Sequence, residues 1–221
     1  MSSKRKIAVV LSGCGVFDGS EIHEAVMTLL AIDRLGATYR CFAPDVAQVQ
    51  VINHLTGKEA TGETRNVLVE SARIARGDIA DLATYDAAAF DGIVLPGGHG
   101  AAKNLSTFAF DGPGCTVNSQ VERAIRDTRA AGKPIGALCI APAIMAKVLS
   151  GVELTIGNDP GTAAALEKLG ARHRAAGRGE AVVDREAKLV TTPCYMLEST
   201  IADIATGAEA VVAGMLELMK G

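Results

Sequence analysis

One cysteine of this sequence stands where a strand should turn sharply into a helix: Cys139, in Ala137-Leu138-Cys139-Ile140-Ala141. Small residues two before and two after a potential nucleophile are what such a turn requires, because bulkier neighbours would clash there. The thiol would then project above the sheet, beside the N-terminus of the next helix, where the helix dipole and free N–H groups favour a thiolate. The bland alternative is a buried structural cysteine, since free cysteine is among the most buried residue types.

Other groups that can serve such a thiol lie in loops of small residues. The N–H of Ile140, with one from the Gly97-Gly98 turn, can converge on a developing negative oxygen. His99, in Pro96-Gly97-Gly98-His99-Gly100, is the histidine best placed to approach Cys139 as a candidate base, against the reading of a solvent-facing turn residue. Cys14 and Cys194 also fall at strand ends, which opens a thiol cluster at Cys139 with Cys14 as a binding residue. The alternative is that each fills a small apolar space, since the paired ligand spacings of zinc sites are missing and no metal is expected. Neither a Gly-x-Gly-x-x-Gly after a strand nor a P-loop lysine motif is present, so no nucleotide or other cofactor is expected.

The elements that must position these residues alternate. Ile7–Leu11, Thr38–Ala43, Gly92–Leu95 and Ile135–Leu138 read as strands, the continuously apolar ones suited to burial on both faces of a parallel sheet. Helices are expected after Ile22, over 65–76, 117–131, 140–149 and 162–169, and over 196–219 at the end; Gly36 and Gly132 mark two of the stops. Residues 49–58 suggest a small hairpin, and Ala181–Asp184 pairs with Lys188–Thr192 around a polar turn. This predicts an α/β fold, a three-layer sandwich with a mostly parallel sheet, whose ligands bind outside the carboxyl ends of the strands.

Composition bounds the rest. The 221 residues, nearly half apolar and about a fifth charged, suit a single domain over 1–221. A net charge of −3 gives no reason to expect nucleic acid or an anionic membrane as partner. The apolar run after the basic start is too short for a signal peptide or a span, and five cysteines without metal spacing look like free thiols. The expectation is a cytoplasmic location.

The run Leu95-Pro96-Gly97-Gly98, then Asn104-Leu105-Ser106, Cys139 with Ala141-Pro142, and Val190-Thr191-Thr192 before the last helix resembles the DJ-1/PfpI superfamily in order and spacing. More closely, the segments 11–24, 51–57, 64–68 and 100–106 resemble the ElbB family, labelled for enhancing lycopene biosynthesis. That resemblance covers almost the whole chain and implies a flavodoxin-like fold of the class I glutamine amidotransferase type, a homodimer, and a glyoxalase activity. It also implies a glutamate from the first helix against the thiol. Counting back from the helix-ending glycine makes that Glu24, and Asp18 three residues before Glu21 suggests a capping box that leaves Glu21 a structural role.

Two departures narrow the chemistry the resemblance implies. Ile140 stands where many PfpI-like enzymes carry histidine, which removes support for a protease-like Cys-His dyad. The late histidine of class I amidotransferases is missing from Thr192-Pro193-Cys194-Tyr195-Met196, which argues against glutamine hydrolysis. What suits a thiol, a carboxyl and an oxyanion hole is a small 1,2-dicarbonyl. The expected enzyme is a lyase of the glyoxalase III type, independent of glutathione, forming a cysteine hemithioacetal and yielding glycolate from glyoxal or lactate from methylglyoxal. The alternatives are a deglycase using the same thiol, and a redox-responsive regulatory protein linked to isoprenoid metabolism.

Overall fold

The computed structural model describes residues 4–220 of the chain. Its centre is a sheet of seven strands. In chain order these are β1 (Lys6–Val10), β2 (Thr38–Ala43), β3 (Ile79–Asp81), β4 (Gly92–Leu95), β5 (Ile135–Leu138), β6 (Val182–Asp184) and β7 (Leu189–Thr192). They lie side by side as β6-β7-β5-β4-β1-β2-β3. Every pairing is parallel except β6 on β7. The fold is therefore the expected α/β sandwich, with the order reversing between β1 and β4.

Alternation along β1 shows how the two faces are filled. Ile7, Val9 and Leu11 join a cluster with Ala25 and Ile32 of α1 (Ile22–Arg34) and with Ala208, Val211 and Met215 of the last helix. Ala8 and Val10 face the opposite way, into a cluster with Leu105, Ile125 and Ile144. Burial on both faces is what makes these strands continuously apolar. Gly136 in β5 has a packing reason: a Cβ there would stand 2.6 Å from the Met215 sulfur.

Helix starts carry their own signals. α2 (Val67–Ile74) is capped by the Asn66 side chain, which accepts from the Val69 N–H at 3.0 Å. The next are α3 (His99–Lys103), α4 (Ser119–Ala130), α5 (Pro142–Val148), α6 (Pro160–Lys168) and α7 (Ile201–Leu218). α5 begins two residues later than its apolar pattern suggests, because the turn at Cys139 occupies those residues and Pro142 suits a first helical position. α7 likewise starts at Ile201 rather than near Met196, set by a reciprocal capping box between Thr200 and Asp203. The capping box expected from Asp18 is not formed. Glu21 is itself the N-cap of α1, accepting from the Glu24 N–H at 2.7 Å, while Asp18 accepts from Ile52 N–H at 2.7 Å and so ties the first loop to the small hairpin of Ile52–Asn53 and Lys58–Glu59. Among the described residues no helix is long and apolar enough to cross a membrane.

Candidate active site

Cys139 leaves β5 with φ of +58°, a conformation that costs an L-residue about 1 kcal/mol or more and persists only where the surroundings impose it. Its N–H donates to the Thr192 carbonyl at 2.9 Å, so the end of β7 fixes the turn. The backbone N–H groups of Gly98 and Ile140 both reach the sulfur. An acceptor there, whether thiolate or an oxyanion bonded next to it, meets two donors held by backbone geometry.

Glu24, fully buried in the first turn of α1, is the thiol's partner. Gly97 N–H donates to Oε2 at 3.0 Å and Tyr195 N–H to Oε1 at 3.3 Å, and the carboxyl lies beside the Cys139 thiol, each acid shifting the pKa of the other. Burial first, and the Glu21 carboxylate second, push the Glu24 pKa up to about 8. Burial, followed by the charge of Glu24, also raises the thiol well above its ordinary value, against the pull of the two N–H groups. The turn therefore does not hold a free thiolate at rest, as helix-end electrostatics alone would suggest. Instead two buried acids lie in contact, and the proton of one is within reach of the other.

The glycines of the β4–α3 turn have separate duties. A Cβ on Gly97 would sit 2.3 Å from the Cys139 Cβ and 2.6 Å from Glu24 Oε2. Gly98 has φ of +97°, and a Cβ there would come within 2.2 Å of the Glu21 nitrogen. The Gly97 N–H thus serves the Glu24 carboxyl, and the N–H of this turn that faces the sulfur is that of Gly98. Gly98→Ala is expected to destabilise the chain by about 3 kcal/mol, from strain and overpacking together, read as a lower urea midpoint at unchanged slope.

A cavity of about 480 Å³ opens above the sulfur. Val16, Ala102, Phe108 and Met196 give it apolar walls, and Glu21, His99 and Tyr195 its polar ones. His99 sits at the rim, where lost solvation and the Lys103 ammonium lower its pKa. Its ring lies near that of Phe17, with centroids 6.2 Å apart, and among the described residues it makes no hydrogen bond to the thiol. Cys14 is not brought to the site. Its half-buried thiol does not line the cavity and lies within electrostatic reach of Glu70, Arg73 and Asp18, because Gly13 N–H, donating to the Ser71 hydroxyl at 2.9 Å, ties the first loop to α2. The neighbouring thiol is Cys194, buried with φ of +45° and raised first by burial, then by Glu24 and Cys139.

Tyr195 was missed by sequence reasoning. Its signal is in the segment 192–196, where a phenol stands in the stretch that lacks the late histidine.

No family model matches the chain. It is 52% identical over 222 residues to the human glutamine amidotransferase-like class 1 domain-containing protein 3, mitochondrial, covering 96% of this chain and 83% of that protein. It is 50% identical to the rat ES1 protein homolog, mitochondrial, over 97% of this chain and 84% of that one. Among solved structures, the isoprenoid biosynthesis protein with an amidotransferase-like domain from Ehrlichia chaffeensis aligns with a TM-score of 0.89 and 36% identity, over 96% of this chain and 99% of its own. Glyoxalase III of Candida albicans shares the fold at a TM-score of 0.61 and 16% identity, over 96% and 97%. The cytoplasmic expectation does not stand against relatives named as mitochondrial proteins. An address is read by receptors and leaves no mark on a folded core, so composition was no guide to it. Its fold is that of DJ-1/PfpI proteins, and on the closer similarities the chain belongs to the glutamine amidotransferase-like ES1 family, with the amidotransferase-like isoprenoid biosynthesis protein as a further relative.

Proposed function

We propose that this protein is a glutathione-independent glyoxalase acting on a small 1,2-dicarbonyl, glyoxal or methylglyoxal. The observation that carries the reading is the buried contact of Glu24 with Cys139, under two backbone N–H groups aimed at the sulfur. A carboxyl with a pKa of about 8 can both accept and return a proton near neutral pH, which is what an isomerisation needs.

The chemistry balances on the substrate alone. In molecules whose Glu24 is ionised, the thiol proton passes to that carboxylate as sulfur bonds to the aldehyde carbon and the carbonyl's electron pair moves to its oxygen, facing Gly98 and Ile140 N–H. Glu24 returns the proton to this oxygen, completing the hemithioacetal. Its carboxylate then removes the hydrogen from the same carbon, giving an enediolate, and delivers that proton to the neighbouring carbon while the first oxygen's proton passes to the second. The resulting thioester is hydrolysed by water, releasing glycolate or lactate and restoring the thiol. The activity named for the Candida albicans structure agrees with this reading, although that likeness speaks for the fold alone. A redox-sensing role is less favoured, since oxidation follows exposure and thiolate character, and this thiol is buried with a raised pKa.

Purified protein given glyoxal, without glutathione or added metal, is expected to form glycolate in step with glyoxal loss, followed by proton NMR. Glyoxal that persists unchanged, or is lost without glycolate, overturns the reading.

A further inference from the structure

The pocket wall holds one polar pair that the chemistry above leaves unused. Tyr195 Oη and His23 Nδ1 are 2.8 Å apart. Tyr195 lines the cavity with Cys139, whereas His23 lies on the exposed side of α1, with Nδ1 also 3.9 Å from Glu21 Oε1. The peptide that carries this phenol is the one whose N–H donates to Glu24. Carboxyl and phenol are thus fixed on a common backbone unit.

A 1,2-dicarbonyl has two oxygens, and Gly98 and Ile140 N–H serve only the one on the carbon bonded to sulfur. When Glu24 removes the hydrogen from that carbon, charge develops on the second oxygen, and a buried oxyanion without a donor is costly. We propose that Tyr195, positioned by His23, is the catalytic acid that protonates this second oxygen. The inference rests on the glyoxalase reading and extends it to the other end of the substrate.

In this arrangement His23 Nδ1–H donates to Tyr195 Oη, which leaves the phenolic hydrogen free to face the pocket. As the C–H bond breaks toward Glu24, its electron pair forms the carbon–carbon double bond, and the second carbonyl's electrons take the proton from Tyr195. The phenolate is held by the Nδ1–H of His23. On collapse to the thioester, the first oxygen's proton restores the phenol while Glu24 protonates the second carbon. Burial, then Glu21, Glu24 and Cys194, raise the Tyr195 pKa, so the phenol rests protonated and ready to donate. The imidazole missing from residues 192–196 would act here from helix α1, through a tyrosine.

The test compares wild type, Tyr195→Phe, His23→Ala and His23→Asn for glyoxal turnover, and measures alkylation of Cys139 by iodoacetamide on the same samples. Tyr195→Phe is expected to lower kcat about 100-fold with KM little changed and alkylation at the wild-type rate. His23→Ala should lose about tenfold in kcat, and His23→Asn, whose amide can still donate to the phenol, should recover most of it. Turnover by Tyr195→Phe within about threefold of wild type overturns the role, as does a parallel fall in turnover and alkylation, which marks a packing effect. Wild type that alkylates without turning over glyoxal overturns the glyoxalase reading, and this role with it.

Discussion

Cys139→Ala is expected to lower kcat/KM for glyoxal by about 10⁴-fold or more, while the chain stays folded. Among the described residues the sulfur is the nucleophilic atom placed under the Gly98 and Ile140 N–H groups, so its removal takes away the covalent route proposed above. Stability should change little. Alanine strains at φ of +58° as cysteine does, and the loss of one sulfur from a residue 7% exposed costs about 1 kcal/mol. Paired measurements of steady-state turnover and urea denaturation check both parts. A variant retaining a tenth of wild-type turnover would rule out Cys139 as the nucleophile and direct attention to Cys194, the thiol nearest in electrostatic reach.

Glu24→Gln should cost about 10³-fold in kcat and, separately, change how stability depends on pH. Free in an unfolded chain, the carboxyl titrates at about 4.5, whereas in the folded protein burial holds it at about 8. Between those values the folded state keeps a proton that the unfolded state has released, so stability falls as pH rises, by about 1.4 kcal/mol per unit from this group. The contribution is fully present below about 4.5 and lost as pH passes 8. Glutamine abolishes that slope. It also leaves one of the Gly97 and Tyr195 N–H groups facing an amide N–H, a penalty of about 1 kcal/mol at every pH. Denaturation midpoints from pH 5.5 to 8.5 separate the two effects. Parallel curves for wild type and variant would show that Glu24 is ionised in the folded protein.

Much of this architecture was legible in the residues for a physical reason. Gly92–Leu95 and Ile135–Leu138 are buried along their length, and a parallel strand covered on both faces must be apolar throughout. β3 escaped because it is three half-buried residues at the sheet edge, paired only with β2, where neither composition nor alternation is demanded. α3 escaped because it is a single turn of helix rising from Gly98. The site was legible where backbone dictates composition: small residues around Cys139 and glycine at 97 and 98. It was not legible where a long-range loop contact decides, as with Cys14, whose loop is held on α2 by the Gly13–Ser71 hydrogen bond. The preference for Glu24 over Glu21 came from family likeness. Its supporting argument from a cap at Asp18 gave way to another cap, Glu21 itself.

The carboxyl of Glu24 takes its hydrogen bonds from residues 73 and 171 positions further along the chain. During synthesis, Cys139 emerges long before Tyr195, and until that peptide docks the carboxyl lacks one of its donors and the pocket one wall. An N-terminal fragment, or a chain stalled short of β7, would carry this cysteine as an ordinary thiol. The coupled acid pair, with both pKa values raised, is thereby assembled last, by completion of the polypeptide.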